Sequence, residues 1–233
     1  MSSIFKKIDH FLHPPKGEIW MLHRVTANKS GVEAMMPFEI SPAQLDELLC
    51  RYQQRGYSFV SIDEVYNMHI SKRYPSNPFL CVTLDDGYLD NMVEALPIFR
   101  KYNCPFCIYV TSGFTDGVAD CWWYPEHDVP FMSADQLRQI SQESLCTIGA
   151  HTITHPYLSK LSSDEKRHEI VASKQRMEEI LGMPVYHFSY PLGDFDKECI
   201  EIVRKAGFRT ATMAWGGGVR SNSNMFVLPR IRM

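Results

Sequence analysis

Residues 79–87 read FLCVTLDDG, an unbroken apolar run that ends in two adjacent carboxylates and a glycine. A strand that is apolar along its whole length is typical of a parallel sheet covered on both faces. In parallel α/β folds, the residues that carry chemistry follow the C-terminal ends of the strands. This stretch therefore predicts a buried strand that presents Asp85 and Asp86 to a functional site.

Outward from this strand, the chain alternates strand and helix signals in both directions. The other runs typical of strands are EIWML (18–22), YSFVSI (57–62), FCIYV (106–110), CTIGA (146–150), VYHFSY (185–190) and FRTATMAW (208–215). Ser41, Ser133 and Ser162 each stand three residues before a Gln or Glu, the capping-box spacing that begins a helix. Asp196 can cap a further helix that ends at Gly207.

Repeated strand–helix units imply parallel strands, because each crossover helix returns the chain to the same edge of the sheet. We predict a single-domain α/β protein, a distorted, TIM-like (β/α) barrel of about seven parallel strands. An open doubly wound sheet is the alternative. We assign residues 1–17 to an N-terminal segment and residues 18–233 to the barrel domain.

The bulk composition narrows the function classes. Twenty-four basic and twenty-seven acidic residues give a formal charge of -3, which offers no electrostatic case for a nucleic-acid partner. The first twenty residues lack the continuous apolar stretch of a secretion signal, and no run approaches the roughly 18 apolar residues of a transmembrane segment. Seven irregularly spaced cysteines do not indicate a disulfide framework. These features favour a reduced, cytoplasmic protein.

Cys104 and Cys107 have the C-x-x-C spacing of redox enzymes. In those enzymes the pair follows a strand and opens a helix, whose N-terminus lowers the pKa of the first thiol. Here a helix-like segment (91–102) precedes the pair and a strand-like run follows it. A single C-x-x-C also falls short of a four-ligand zinc site. The reversed order favours buried, apolar cysteines over a redox or zinc site.

Two histidines form a second polar group after a predicted strand, as the two aspartates form the first. His151 and His155 follow the run 146–150 and would share one face if the segment turned helically. Taken alone, the adjacent aspartates could be a helix cap and a solvated neighbour, and a histidine pair could lie on the surface. Together, at the ends of separate predicted strands, they form a two-His, one-carboxylate metal site with one carboxylate to spare.

These residues resemble the polysaccharide deacetylases of carbohydrate esterase family 4. Residues 83–87, TLDDG, are similar to the family's T-F-D-D-G motif, and residues 151–155, HTITH, match its H-[S/T]-x-x-H motif. Residues 191–193, PLG, resemble the core of its third motif. Residues 21–25, MLHRV, resemble the segment that opens a circularly permuted branch. The resemblance spans about residues 18–232.

The resemblance implies a role for each site residue. Asp86, His151 and His155 would bind one divalent metal ion, usually Zn²⁺, with Co²⁺, Ni²⁺ or Mn²⁺ as possibilities. Asp85 would be the general base, and His23 the general acid that protonates the leaving amine. The backbone N–H of Leu192 would complete the oxyanion hole.

Two departures from the family pattern concern the orientation of the base and an absent motif. The third motif normally begins with an arginine that orients the base, and Ser189 occupies roughly that place. Arg230, on the last strand, could supply the guanidinium, and an ordinary surface arginine is the alternative. No D-x-x-D-W segment is present. These gaps leave open a catalytically inactive, carbohydrate-binding member of the fold.

The predicted catalytic face also carries aromatic residues and glycines. Residues 122–124, WWY, could stack on sugar rings or could pack their loop onto the barrel. The glycines 216–218 lack the lysine of a phosphate-binding loop and indicate a flexible turn beside the site.

We therefore predict a hydrolase that releases acetate from an N-acetylated sugar of a polysaccharide or glycan precursor. The apparent lack of a secretion signal favours a precursor made inside the cell. A C–N hydrolase acting on a non-sugar amide is the alternative enzyme. The sequence specifies no oligomeric state.

Overall fold

The computed structural model describes residues 14–124 and 129–233. Its strands are β1 (Gly17–Leu22), β2 (Arg24–Val25), β3 (Glu39–Ile40), β4 (Ser58–Phe59), β5 (Phe79–Asp86), β6 (Phe106–Val110), β7 (Cys146–Ala150), β8 (His187–Ser189), β9 (Thr210–Gly216) and β10 (Leu228–Arg232). Seven of them form a ring in the order β1-β10-β9-β8-β7-β6-β5, which closes because β1 also pairs with β5. The predicted barrel of seven parallel strands is confirmed, and the open sheet is wrong.

The ring strands are not quite the seven runs that the sequence indicates. The run 57–62 contributes only the two residues of β4, which pairs with β5 outside the ring. Ser61 ends the run because it caps the next helix and accepts a hydrogen bond from the Glu64 backbone. The seventh ring position belongs to β10, which contains a proline and two arginines.

The helices cover the outside of the barrel. They are α1 (Pro42–Gln54), α2 (Ile62–Ser71), α3 (Leu96–Tyr102), α4 (Ser112–Asp116), α5 (Ala134–Ile140), α6 (Ser163–Arg167), α7 (Ser173–Leu181) and α8 (Lys197–Lys205). Wide helical turns at Asn91–Ala95 and His168–Ala172 lead into α3 and α7. The predicted capping boxes at Ser41, Ser133 and Ser162 are confirmed, as is the Asp196 cap of α8.

Strand residues alternate between two buried clusters, as the period of two requires. Trp20, Leu80 and Ile108 pack with the helices, whereas Ile19, Cys81 and Tyr109 belong to a cluster inside the barrel. Cys104 and Cys107 are both buried and unbridged, and burial raises the pKa of each thiol. Their interpretation as apolar packing residues is confirmed.

No helix within residues 14–124 and 129–233 is long and apolar enough to cross a membrane. The predicted N-terminal segment falls almost wholly on residues 1–13, which lie outside the described residues, so its assignment stays a prediction.

Candidate active site

The C-terminal ends of the ring strands surround a cavity of about 650 Å³. Its walls are largely apolar, and its polar side chains are concentrated at one place. The predicted site residues His23, Asp85, Asp86, His151, His155, Leu192 and Arg230 all line it. The ends of five strands therefore bring together side chains that lie more than 200 residues apart in the chain.

Asp86, His151 and His155 form a compact group of potential ligand atoms, all within 4.8 Å of one another. The Asp86 Oδ1 atom lies 3.6 Å from Nε2 of each histidine, which is too long for a hydrogen bond. Two ligands that are each about 2.1 Å from a tetrahedral zinc ion lie roughly 3.4 Å apart. The spacing therefore fits a cation between the three side chains.

Electrostatics and hydrogen bonding agree with that fit. Burial lowers the pKa of both histidines, so each ring is neutral and can offer a lone pair. Nδ1 of His151 lies 2.8 Å from the Ser189 carbonyl oxygen, which orients Nε2 toward Asp86. Burial and the neighbouring Asp85 charge raise the pKa of Asp86, and its Oδ1 has no hydrogen-bond partner among the described residues. A bound cation would relieve both costs.

The loop that carries the two histidines is not helical, contrary to the helical turn considered from its spacing. Thr152 and His155 adopt left-handed conformations, with φ of 66° and 57°. Glu169 holds the loop in this shape, because its carboxylate accepts hydrogen bonds from the backbone N–H groups of Ile153 and Thr154 at 2.8 and 3.0 Å. It also accepts one from the Thr154 hydroxyl at 2.7 Å. These hydrogen bonds to Glu169 fix the loop that brings the two histidines together.

Backbone strain is concentrated at the site. Six described non-glycine residues have φ in the left-handed region, and Lys72 and Asn103 of these merely end helices. The other four are Asp86, Thr152, His155 and Leu192. Such conformations are costly for residues with a Cβ atom and cluster where function over-determines the backbone.

Arg230 is buried beside Asp85, so its interpretation as a surface residue is wrong. Its guanidinium donates to both oxygens of Asp85 at 2.7 Å, to Thr83 Oγ1 at 3.0 Å and to Ser189 Oγ at 2.9 Å. Its Nε donates to the Met213 carbonyl at 2.9 Å, so all five N–H groups are satisfied. Burial favours the neutral acid, but Arg230 outweighs it and holds the pKa of Asp85 well below its usual range.

Both aspartates are buried at 2% exposure, so neither is the solvated residue or helix cap of the alternative reading. The turn that begins after Asp90 has no side-chain cap. Arg230 reaches Asp85 from β10 past β1, which pairs with both β10 and β5, and it also donates to the Ser189 hydroxyl.

His23 follows β1 and faces the same cavity. The Asn91 side-chain amide donates to its backbone carbonyl at 2.8 Å, and its ring packs edge-on against Phe38 with centroids 4.8 Å apart. Burial lowers the pKa of His23 to about 4, and the Asp85 carboxylate opposes that shift. Leu192 occupies the turn Pro191–Gly193 after β8 in a left-handed conformation (φ 57°, ψ 7°).

The two tryptophans after α4 divide between them the two roles considered for the aromatic segment, packing of the loop and contact with a ligand. Trp123 is buried, donates to the Tyr88 hydroxyl at 2.9 Å and packs against the His155 ring at 4.6 Å. Trp122 is 57% exposed and lines the cavity. Trp123 therefore supports a candidate ligand, while Trp122 is available to a bound molecule. Gly216 and Gly217 also line the cavity, beside the site as expected.

Comparisons with known proteins point to one family. The family model described as polysaccharide deacetylase matches residues 72–211. YxkH of Bacillus subtilis strain 168, provisionally named a polysaccharide deacetylase, is 24% identical over 220 residues, covering 94% of this chain and 72% of its own.

Solved structures share the fold. Streptococcus pyogenes deacetylase PplD, solved in complex with acetate, superposes with a TM-score of 0.82 at 23% identity and covers 94% of this chain and 93% of its own. IcaB from Ammonifex degensii gives 0.82 at 21% identity, covering 94% and 92%. The family model covers well over half of the sequence and includes both the aspartate pair and the histidine pair. The chain belongs to the polysaccharide deacetylase family.

Proposed function

We propose that this protein is a metal-dependent hydrolase that removes the N-acetyl group from a sugar of a polysaccharide or glycan precursor and releases acetate. The observation that carries the proposal is that two adjacent carboxylates have different surroundings. Asp85 is held ionised by Arg230, whereas Asp86 points an unpartnered oxygen at two neutral histidines.

Asp86, His151 and His155 would hold the metal ion, for which two nitrogen ligands and one oxygen ligand favour Zn²⁺, with Co²⁺, Ni²⁺ or Mn²⁺ as alternatives. Such an ion supplies Lewis acidity, which lowers the pKa of water and polarises a carbonyl oxygen. His151 and His155 contribute by staying neutral, and Glu169 contributes by fixing the loop between them.

Asp85 would accept the proton of the attacking water. Its low pKa keeps it ionised, and the two-pronged contact with Arg230 leaves it one orientation. Arg230 acts through Asp85 and is therefore a positioning residue.

The Leu192 N–H would donate to the acetyl oxygen as negative charge develops there, since its left-handed turn lies in the cavity wall. His23 would protonate the departing amine. Negative charge that develops on the substrate beside His23 would raise its pKa from about 4 toward the working range.

The experiment combines acetate release with metal analysis. We expect the purified protein to bind about one equivalent of zinc and to release acetate from a panel of N-acetylated oligosaccharides. Asp85→Asn should bind zinc but lower kcat about 10²–10⁴-fold, the range for loss of a general base. Asp135→Asn, an exposed aspartate on α5, is the matched control and should match the wild type.

Three results would contradict the proposal or the role of its base. Zinc binding without acetate release from any N-acetylated sugar would favour a carbohydrate-binding protein, and release only from non-sugar amides would favour the other C–N hydrolase. Undiminished turnover in Asp85→Asn would exclude Asp85 as the base.

A further inference from the structure

One charged side chain in the cavity lies outside the candidate catalytic group. Arg232 lines the cavity beside His23 and Arg230. No carboxylate within residues 14–124 and 129–233 forms an ion pair with it, whereas Asp85 is already paired with Arg230. The carboxylates that line the cavity, Asp85 and Asp86, both belong to the candidate catalytic group. The wall around that group therefore carries an uncompensated positive charge.

Most of the thirteen arginines pair with a carboxylate of the described residues, and Arg232 is one of those that do not. Eight arginines form ion pairs with carboxylates: Arg24, Arg51, Arg100, Arg138, Arg176, Arg204, Arg209 and Arg230. Arg232 differs from them because its cation faces a cavity instead of an acidic neighbour. Such a group can pair with a charge that a ligand brings.

The position of Arg232 is fixed by the barrel and not by a loop. It belongs to β10, where it pairs with Met21 of β1. Side chains two residues apart on a strand share a face, so Arg232 stands on the face of Arg230, about 7 Å nearer the mouth. The inner arginine neutralises Asp85, and the outer one stands at the level of whatever adjoins the reacting sugar.

Arg232 is exposed at the mouth of the cavity, where apolar side chains lie around it. Its guanidinium lies 5.4 Å from the centroid of the Phe38 ring, which in turn packs on His23. Met21, Ile231 and the exposed Trp215 form the neighbouring wall. Because Arg232 is exposed, its guanidinium is accessible to an anionic group that enters the cavity from solvent, and salt will screen the contact.

We propose that Arg232 binds an oxyanion substituent of the substrate, a phosphate or a carboxylate, which adjoins the N-acetylated sugar. The planar guanidinium fork suits both groups, since each offers two oxygens for paired hydrogen bonds. The preferred substrate is then an anionic glycan or glycan precursor and not a neutral one. This inference rests on the proposed deacetylase function.

Two matched pairs of probes separate the sources of the anion. The first compares the 1-phosphate of N-acetylglucosamine with its neutral methyl glycoside. The second compares a tetrasaccharide that alternates N-acetylglucosamine with glucuronate with the neutral N-acetylglucosamine tetrasaccharide. We expect kcat/KM for acetate release to favour the anionic member of one pair at least 10-fold at low salt. A preference in the first pair indicates a phosphorylated precursor, and one in the second indicates an acidic polymer.

Variants test whether Arg232 is responsible. Arg232→Gln should reduce that preference to near unity, and Arg232→Lys, which keeps the charge but loses the fork, should retain part of it. Arg73→Gln is the control, because Arg73 is exposed and precedes β5 at the opposite end of the barrel. Equal kcat/KM within both pairs, or a preference that survives Arg232→Gln, would overturn the inference.

Binding measurements keep this test separate from the test of the deacetylase function. Turnover of the neutral probes without anion preference would defeat the role of Arg232 and leave the deacetylase standing. Should no probe be turned over, calorimetric titration of the zinc-loaded protein with the same pairs still decides the matter. Tighter binding of an anionic member, lost in Arg232→Gln, would support the inference, and equal binding within both pairs would overturn it.

Discussion

The barrel buries histidines at both ends, and they differ in whether all of their ring nitrogens have hydrogen-bond partners. At the N-terminal end, His187 lies beside a second cavity of about 350 Å³, and both of its ring nitrogens have partners. Nδ1 lies 2.8 Å from Thr210 Oγ1, and Nε2 lies 3.1 Å from Asp63 Oδ1. At the C-terminal end, Nδ1 of His155 has no partner among the described residues.

His187 shows that burial beside a cavity does not by itself mark a functional histidine. His187 lies within a regular strand and contacts Asp63 and Thr210 through its two ring nitrogens. This Asp–His–Thr relay is complete without a ligand. His151 and His155 are held by a strained loop around an unpartnered carboxylate oxygen. A group left incomplete by the fold is the better indicator of a binding site.

The largest expected effect concerns zinc-dependent stability. A ligand that binds only the folded state stabilises it by about 2.7 kcal/mol when its free concentration is 100 times Kd. Wild type and His187→Ala should both gain that amount, measured by denaturant unfolding with and without zinc. His151→Ala should gain none. Zinc-dependent stabilisation of His151→Ala, or its loss in His187→Ala, would remove the distinction between the two ends.

A smaller effect tests how the histidine loop is held. Glu169→Gln replaces one acceptor oxygen with an amide that cannot accept, so it breaks at least one of the three hydrogen bonds to the loop. Loss of such outer contacts weakens metal affinity about 10–100-fold. We expect that loss in a competition titration with a chelator, whereas Glu179→Gln, an exposed control on α7, should match the wild type.

A purely structural role for Glu169 would give a different pattern. The free energy of unfolding without metal would fall, while the zinc dissociation constant of the folded protein stayed unchanged. A changed dissociation constant at little cost in metal-free stability supports the positioning role.

The contrast between Asp85 and Glu169 shows which parts of the site were open to prediction from sequence. Asp85, Asp86 and the two histidines directly follow apolar runs, so the parallel fold alone brings them to one edge. Glu169 has no such signal, because it lies in the wide helical turn His168–Ala172 and reaches a loop 15 residues away.

Long-range packing also explains why the apolar runs of the sequence do not indicate strand β10 or the burial of Arg230. The ring needed β10, whose alternation of arginines with apolar residues differs from the apolar runs of the other strands. Arg230 is buried only because Asp85, Thr83 and Ser189 converge on it from other strands. That convergence depends on barrel closure, and no local pattern in residues 228–232 encodes it.

The smallest effect tests the relay at the other end. The hydrogen bond from His187 lowers the pKa of Asp63 despite partial burial. A carboxylate with a lowered folded-state pKa contributes stability above its unfolded pKa of about 3.9, and that stability is lost as pH falls through the folded value. Asp63 is 42% exposed, so solvent screening limits the contribution to under about 1 kcal/mol.

Asp63→Asn should therefore flatten the acid side of the stability profile below about pH 5 and leave zinc affinity unchanged. Unfolding by urea across pH 3 to 7, with parallel zinc titrations, measures both quantities. The relay at the N-terminal end is complete without a ligand, so its removal should alter stability alone. A zinc affinity that changed with Asp63 would mean that the two ends of the barrel are energetically coupled, and the contrast between them would then be one of degree.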